Sequence, residues 1–380
     1  MPSQILYFAP EDWAFLEHFT VTGRAAQRAG FEVSVVTRVR NHRARLEAEG
    51  FRVLPFESER SNLGPLYNVL VMMRMIRTIR AVKPDIVHCI GLRMVILAGI
   101  AARLARVRQL VLLPTGLVYF WINDDLKERA MRRVVRLLVD KILNRADTEF
   151  IFENAEDPVE LGIAPDAANL TIIGGVGVDP AEYPFVPPPG GSPIKVAVVG
   201  RMLKGKGIAE AVAATKQVHA KGTAVELHLY GAIDPSSRMT LTEETLRGWE
   251  KEGPIFWHGR VSNIGHIWGT HHIAMLLSYR EGLPRSLIEA AAAGRPIITT
   301  DVVGCRSVIT DQIEGFIVPK GDVEQAAARL QQLIQDEPLR TRMGMAAHQR
   351  FLQRFTAEAV GRTIYGVYSR IQARMPARPT

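Results

Sequence analysis

Four side chains in the second half of the chain have the types and spacing to hold a diphosphate and a polyol: Arg201, Lys206, Glu281 and Glu289. The segment VAVVGRMLKGKGIAEAVAA (196–214) runs an apolar strand through a glycine turn into a helix. A helix start leaves backbone N–H groups unpaired and carries partial positive charge, and Arg201 and Lys206 add two full charges beside it. Downstream, SYREGLPRSLIEAAAAGRPIITTDVVGC (278–305) carries Glu281 in a Gly/Pro turn and Glu289 on the helix that follows. A carboxylate accepts two neighbouring hydroxyl hydrogen bonds, which suits a vicinal diol. GRMLKGK also fits the Gly-x4-Gly-Lys of P-loop nucleotide hydrolases, but Gly207 stands where a Ser or Thr hydroxyl should hold magnesium. No later strand ends in an acid that would complete such a site; Ile273–Ser278 runs into Tyr279. No Asp-x-Asp pair occurs, and Cys89 and Cys305 lack partners at metal-ligand spacing, so no metal and no resident cofactor are expected.

These groups need a frame. In the first half, strands at Gln4–Ala9, Glu32–Thr37, Ile86–Cys89 and Gln109–Leu113 alternate with helices at Thr20–Ala29, Arg40–Glu49, Leu66–Val82 and Val95–Leu104; Thr148–Phe152 and Leu170–Ile173 complete the set. Such alternation predicts a parallel sheet covered on both faces. EYPFVPPPGGSP (182–193) reads as a linker. After it the pattern restarts, with strands Ile194–Val199, Val225–Tyr230, Ile255–His258, Ile273–Ser278, Pro296–Thr299 and Gly315–Val318, and helices Gly207–His219, Ser286–Ala293 and Val323–Gln335. The expected class is α/β: a Rossmann-like doubly wound domain at 1–187, a second at 188–354, and a terminal helical segment at 355–380 crossing back to the first domain. Ligands of such sheets bind at the carboxyl ends of the strands, here in a cleft between two domains.

At 380 residues and 47% hydrophobic the chain can bury two cores. Nothing in it reads as a signal peptide or spanning helix; the nearest apolar run, Gln109 to Trp121, is broken by Pro114 and Gly116. A cytoplasmic location is expected. The net charge of +8 is concentrated: residues 70–145 hold fifteen Lys/Arg against five Asp/Glu. VMMRMIRTIRAVK (71–83) and ERAMRRVVRLLVDKILNR (128–145) mix cations with large apolar side chains, and Arg74, Arg77 and Arg80 form a stripe beside Met73, Ile76 and Ile79. Such helices can lie on an anionic membrane surface, or pack on a sheet with a solvated basic face. No nucleic-acid partner is expected.

The stretch 278–305 resembles the family 4 glycosyltransferases of the GT-B fold, whose signature is Glu-Gly-x-Pro with a second Glu at this spacing. GR-x4-KG at 200–207 looks like the family's diphosphate turn, and GVGVDPAEYPF (175–185) like its segment leading into the hinge. DWAFLEHF (12–19), DIVHCIGLRMVILAGIAARLA (85–105), GFIVPKGD and MGMAAHQRF are similar to a bacterial subgroup that acts on polyprenyl-diphosphate-linked glycans in surface polysaccharide or glycoprotein assembly. The resemblance implies two facing Rossmann-like domains and transfer of a hexose or N-acetylhexosamine, with retention, from a nucleotide diphosphate sugar, uridine the favoured base. Arg201 and Lys206 would hold the diphosphate, Glu281 the transferred sugar and Glu289 the ribose. Gly259, Arg260 and Val261 would meet the base, and Gly282, Leu283, Pro284, Ser286 and Leu287 would complete the donor contacts. Arg201, Lys206 and Glu281 are the expected catalytic groups.

Acceptor contacts are expected at Asp12, Trp13, His18, His88 and Arg93. There the chain departs from the family: LPTGLVYF (113–120) lacks the usual His, Phe19 stands where a cation is frequent, and the first-loop glycine pair is absent. His88 reads equally as a packed core residue, and Arg93 equally as a helix-start cap. The alternatives are a GT-B nucleotide-sugar 2-epimerase and a non-catalytic carbohydrate-binding paralogue. A dehydrogenase would need a Gly-x-Gly-x-x-Gly after the first strand, which is missing.

Overall fold

The computed structural model describes residues 3–59, 64–115, 117, 126–235, 237 and 239–375. Half of LPTGLVYF, 116 and 118–120, lies outside them. The chain forms two compact units, Met1–Gly177 with Ala357–Thr380, and Val178–Thr356. It changes unit ahead of the proline-rich stretch because Val178 and Tyr183 are buried in the core of the second unit.

In the first unit β1 (Ser3–Glu11), β2 (Phe31–Arg38), β3 (Arg52–Pro55), β4 (Ile86–Ile90), β5 (Gln109–Leu113), β6 (Thr148–Phe152) and β7 (Leu170–Ile172) pair in parallel, in the order β3-β2-β1-β4-β5-β6-β7. Successive side chains alternate between two cores. Leu6 and Phe8 join one with Val71, Met75 and Ile79 of the helix Pro65–Val82 and Val135 of the helix Leu126–Leu138. Ile5 and Tyr7 join the other with Ile364, Val367 and Tyr368 of the helix Ala357–Arg374.

The second unit pairs β8 (Ile194–Val199), β9 (Val225–Tyr230), β10 (Ile255–Trp257), β11 (Ile273–Leu276), β12 (Ile297–Thr300) and β13 (Gly315–Val318) in parallel, ordered β10-β9-β8-β11-β12-β13. Helices Ile208–Ala220 and Val323–Gln335 pack into one core, and Ile264–Thr270 and Arg285–Ala292 into the other. Both sheets are therefore doubly wound. Strand order reverses between β1 and β4 and between β8 and β11, the points where such sheets open a crevice at their carboxyl ends.

Two features differ from expectation. β3 is an additional edge strand, and the tail is two helices, Glu337–Arg354 and Ala357–Arg374, interrupted at Phe355–Thr356. Among the described residues no helix is long and apolar enough to cross a membrane.

Candidate active site

The diphosphate turn lies at the switch point of the second sheet. β8 ends at Val199, a 3-10 turn spans Lys204–Lys206, and Gly207 caps the helix Ile208–Ala220 with φ 66°. A Cβ on Gly207 would sit 1.9 Å from the Leu277 carbonyl oxygen. Only glycine fits both the left-handed backbone and that approach, so the Ser or Thr of a P-loop has no room here. The same approach sets the turn against the loop leaving β11, where Tyr279 N–H donates to the Gly205 carbonyl at 3.0 Å.

Across that seam Lys206 Nζ lies 2.5 Å from Glu281 Oε1, and Ser278 Oγ donates to the same oxygen at 2.7 Å. The lysine and glutamate side chains are 23% and 10% exposed. From the other side, Gly304 N–H donates to the Glu281 carbonyl at 3.2 Å. A Cβ there would meet the Gly282 carbonyl at 2.5 Å, so the Glu281–Gly282 backbone rests directly on residue 304. Arg201 takes a different partner: its Nη1 lies 2.9 Å from Asp234 Oδ2, and its side chain is half exposed. The structure thus joins Lys206 to Glu281 and ties Arg201 to the loop after β9.

Glu289 sits on the helix Arg285–Ala292 and is buried. Tyr183 Oη donates to its Oε1 at 2.9 Å and Arg285 Nε to the same oxygen at 2.8 Å. Burial raises the Glu289 pKa, while Arg285 and the Tyr183 hydroxyl pull against it. Pro284 is the N-cap of this helix, Ser286 is half-buried in its first turn, and Leu283 packs against the core. Leu287 differs from its expected role: its side chain is in the core and its N–H goes to the Pro284 carbonyl.

Beyond β10 a pocket of about 450 Å³ is lined by Tyr230, Arg260, Val261, Asn263, His266 and Thr270, among others. Gly259 opens the segment, its carbonyl accepting from Gly231 N–H at 2.8 Å. Gly231 has φ 156°, and a Cβ there would strike the Gly200 carbonyl at 1.7 Å, so the ends of β8 and β9 meet backbone to backbone. Tyr230 was not foreseen as a site residue. Its ring stacks on His258 at 4.5 Å and 12°, and its hydroxyl lies 3.3 Å from His271 Nε2. Burial holds the His271 pKa down to about 3, and its Nδ1 faces the Ile267 carbonyl at 2.7 Å. The neutral ring therefore carries its proton on Nδ1, and Tyr230 donates to Nε2. The only sequence cue was an aromatic residue at the end of a strand, just before a glycine.

The acceptor candidates of the first unit do not form one cluster. Asp12 is fully buried and accepts from the backbone N–H groups of Trp13 (2.7 Å), Arg40 (2.7 Å) and His42 (2.9 Å). Burial alone would raise its pKa, but these donors bring it below the usual carboxylate range. It latches the helix Asp12–His18 to the loop after β2, and so differs from a ligand contact. Trp13 is exposed and meets the His18 ring edge-on at 6.2 Å.

His88 is a core residue, and its expected acceptor role is corrected. On β4 it faces the core covered by the helix Ala357–Arg374; its ring lies 4.8 Å from Tyr7, and its Nδ1 meets Tyr368 Oη at 2.7 Å. Burial lowers its pKa to about 3. Arg93 brackets the Glu59 carbonyl and Asn68 Oδ1 rather than standing open at a helix start. Among the described residues, no group of three or more His, Cys, Asp or Glu side chains could hold a metal ion.

Two family descriptions match the chain: Glycosyl transferase 4-like over residues 4–151 and Glycosyl transferases group 1 over residues 180–350. The Campylobacter jejuni N,N'-diacetylbacillosaminyl-diphospho-undecaprenol alpha-1,3-N-acetylgalactosaminyltransferase is 24% identical, over 90% of this chain and 91% of its own. The capsular polysaccharide biosynthesis glycosyltransferase CapM of Staphylococcus aureus is 28% identical over 46% of this chain, and the match spans 45% of CapM. In fold, Anabaena HepE, solved in complex with UDP and glucose, superposes with a TM-score of 0.74 at 16% identity, covering 97% of this chain and 100% of HepE. These findings support one class, a glycosyltransferase of the GT-B fold. Within that class the chain carries a 4-like first half and a group 1 second half.

Proposed function

We propose that this glycosyltransferase moves a hexose or N-acetylhexosamine from a uridine diphosphate sugar to a polyprenyl-diphosphate-linked glycan, with retention and without a metal ion. The observation that carries the reading is the Lys206–Glu281 pair at the sheet's switch point, 2.5 Å apart and mostly shielded from water. Cleavage of the sugar–diphosphate bond leaves negative charge on the departing oxygen. Lys206, Arg201 and the N–H groups at the start of the helix Ile208–Ala220 would stabilise it. Glu281 would accept from the transferred sugar's hydroxyls, and Glu289 from the ribose. The Arg260–Val261 pocket has room for a planar base and has an aromatic wall.

The Campylobacter relative, named for an undecaprenyl-diphosphate-linked substrate, supports the lipid-linked acceptor, and HepE, solved with UDP, supports the donor. Trp13, His18 and Arg93 lie at the carboxyl ends of β1 and β4 and remain the proposed acceptor contacts. A peripheral position on the cytoplasmic face of the membrane fits this acceptor. The helix Pro65–Val82 exposes Leu66, Leu70 and Met73 among Arg74, Arg77 and Arg80, and Leu126–Leu138 exposes Met131, Val134 and Leu137 beside Arg133. Apolar side chains interleaved with cations on one side of the sheet suit an anionic lipid surface.

The test is a screen of nucleotide sugars with a polyprenyl-diphosphate glycan, with and without chelator. Acceptor-dependent sugar transfer that survives chelation is expected. Epimerised sugar formed without acceptor would overturn the reading.

A further inference from the structure

We infer that Tyr183 and Arg285 are positioning residues for donor binding: they pin one oxygen of the Glu289 carboxylate so that the other can accept the ribose hydroxyls. The inference rests on the proposal that Glu289 meets the ribose, and goes beyond it by naming what keeps that carboxylate fit for the task.

Glu289 is 6% exposed. A carboxylate so enclosed tends to take up a proton, and the protonated form is a poorer acceptor for a diol. Two donors oppose this from different parts of the chain. Arg285 stands one helical turn earlier on the same face and brings a guanidinium to Oε1 at 2.8 Å. Tyr183 comes from the start of the 182–193 stretch, 106 positions away, and brings its hydroxyl to the same oxygen at 2.9 Å. Both bonds fall on Oε1, so Oε2 is left to face a ligand. The charged and titratable groups around Glu289 are Arg285 on its own helix and Tyr183 and Glu182 on the packed segment. Glu182 acts against ionisation, and Arg285 is the cation that favours it among the described residues.

The experiment titrates UDP calorimetrically into wild type, Arg285→Gln, Arg285→Lys, Tyr183→Phe and Glu289→Gln, from about pH 5.5 to about pH 8.5. Each affinity is read as a ratio to wild type, so that the nucleotide's own titration cancels. Without the guanidinium, Glu289 should protonate at higher pH. Affinity is full above the pKa and lost as pH falls through it. Arg285→Gln should therefore bind about tenfold more weakly at the acid end and recover at the alkaline end. Arg285→Lys should keep a profile close to wild type, and Tyr183→Phe should lose about threefold, mostly at low pH. Glu289→Gln should be weak at every pH, with a flat ratio.

A loss in Arg285→Gln that is equal at all pH values, or not rescued by lysine, would overturn the positioning role. Wild-type affinity in Glu289→Gln would instead overturn the ribose reading beneath it. Tyr183→Phe removes a single oxygen and supplies the comparison if Arg285→Gln fails to fold; an unchanged ratio in that variant would also count against the inference.

Discussion

Lys206→Met keeps the lysine's aliphatic stem and removes its charge. Two effects follow from the geometry. The departing diphosphate loses the cation set beside it, and removing one such charge-stabilising donor typically lowers kcat by on the order of 10²–10³, or about 2.7–4 kcal/mol. Glu281, 10% exposed and 2.5 Å from Nζ, also loses its counter-charge, though Ser278 still donates at 2.7 Å. Because Lys206 is 23% exposed, solvent screens the pair, and the loss in folding stability should be only about 1–2 kcal/mol. Glu281→Gln should lower turnover while leaving the lysine in place. Two groups sharing one contact should then be non-additive, with a coupling of about 1–3 kcal/mol in the double variant. The assay is the initial rate of nucleotide release at saturating donor and acceptor, with folding checked by thermal melting. Turnover of Lys206→Met within about threefold of wild type, or additivity within about 0.5 kcal/mol, would refute the reasoning.

Tyr230→Ala should weaken UDP binding by about 1 kcal/mol through loss of the pocket's aromatic wall, while Tyr230→Phe should keep most of the affinity; calorimetry compares them. His88 and His271 are held neutral in the fold, each with a pKa near 3, whereas an unfolded histidine titrates at about 6.5. The unfolded state therefore binds the extra protons, and each group should lower stability by about 1.4 kcal/mol per pH unit as pH falls from about 6.5 toward 3. Urea unfolding across that range should show the slope, and His88→Gln, which cannot titrate, should reduce it by one proton. Vesicles containing anionic lipid should bind the protein, and neutral replacements at Arg74, Arg77, Arg132 and Arg133 should abolish binding in a flotation assay.

Much of the frame was legible because parallel strands buried on both faces read as short apolar runs. β4 (IVHCI) and β8 (IKVAVV) needed little else. β3, RVLP, escaped because an edge strand with exposed Arg52 and Pro55 has neither length nor pattern. The Arg stripe of Pro65–Val82 is exposed, but its apolar companions divide: Ile79 is in the core and Ile76 packs against it, while Met73 faces water. The uniform burial of β4 explains why His88 read equally as site or core, since the deciding partner, Tyr368, lies 280 positions away. The same holds for the site. Glycine turns and carboxylates announce themselves locally, whereas Tyr183 on Glu289, Asp234 on Arg201 and the Tyr230–His258 stack join distant segments.

The most direct measurement is a crystal structure of the protein with UDP. The account predicts a phosphate oxygen within about 3 Å of Lys206 Nζ, Arg201 turned from Asp234 toward the diphosphate, and the ribose hydroxyls on Glu289. A nucleotide bound elsewhere, or bound with Lys206 and Glu289 both out of hydrogen-bond reach, would contradict it.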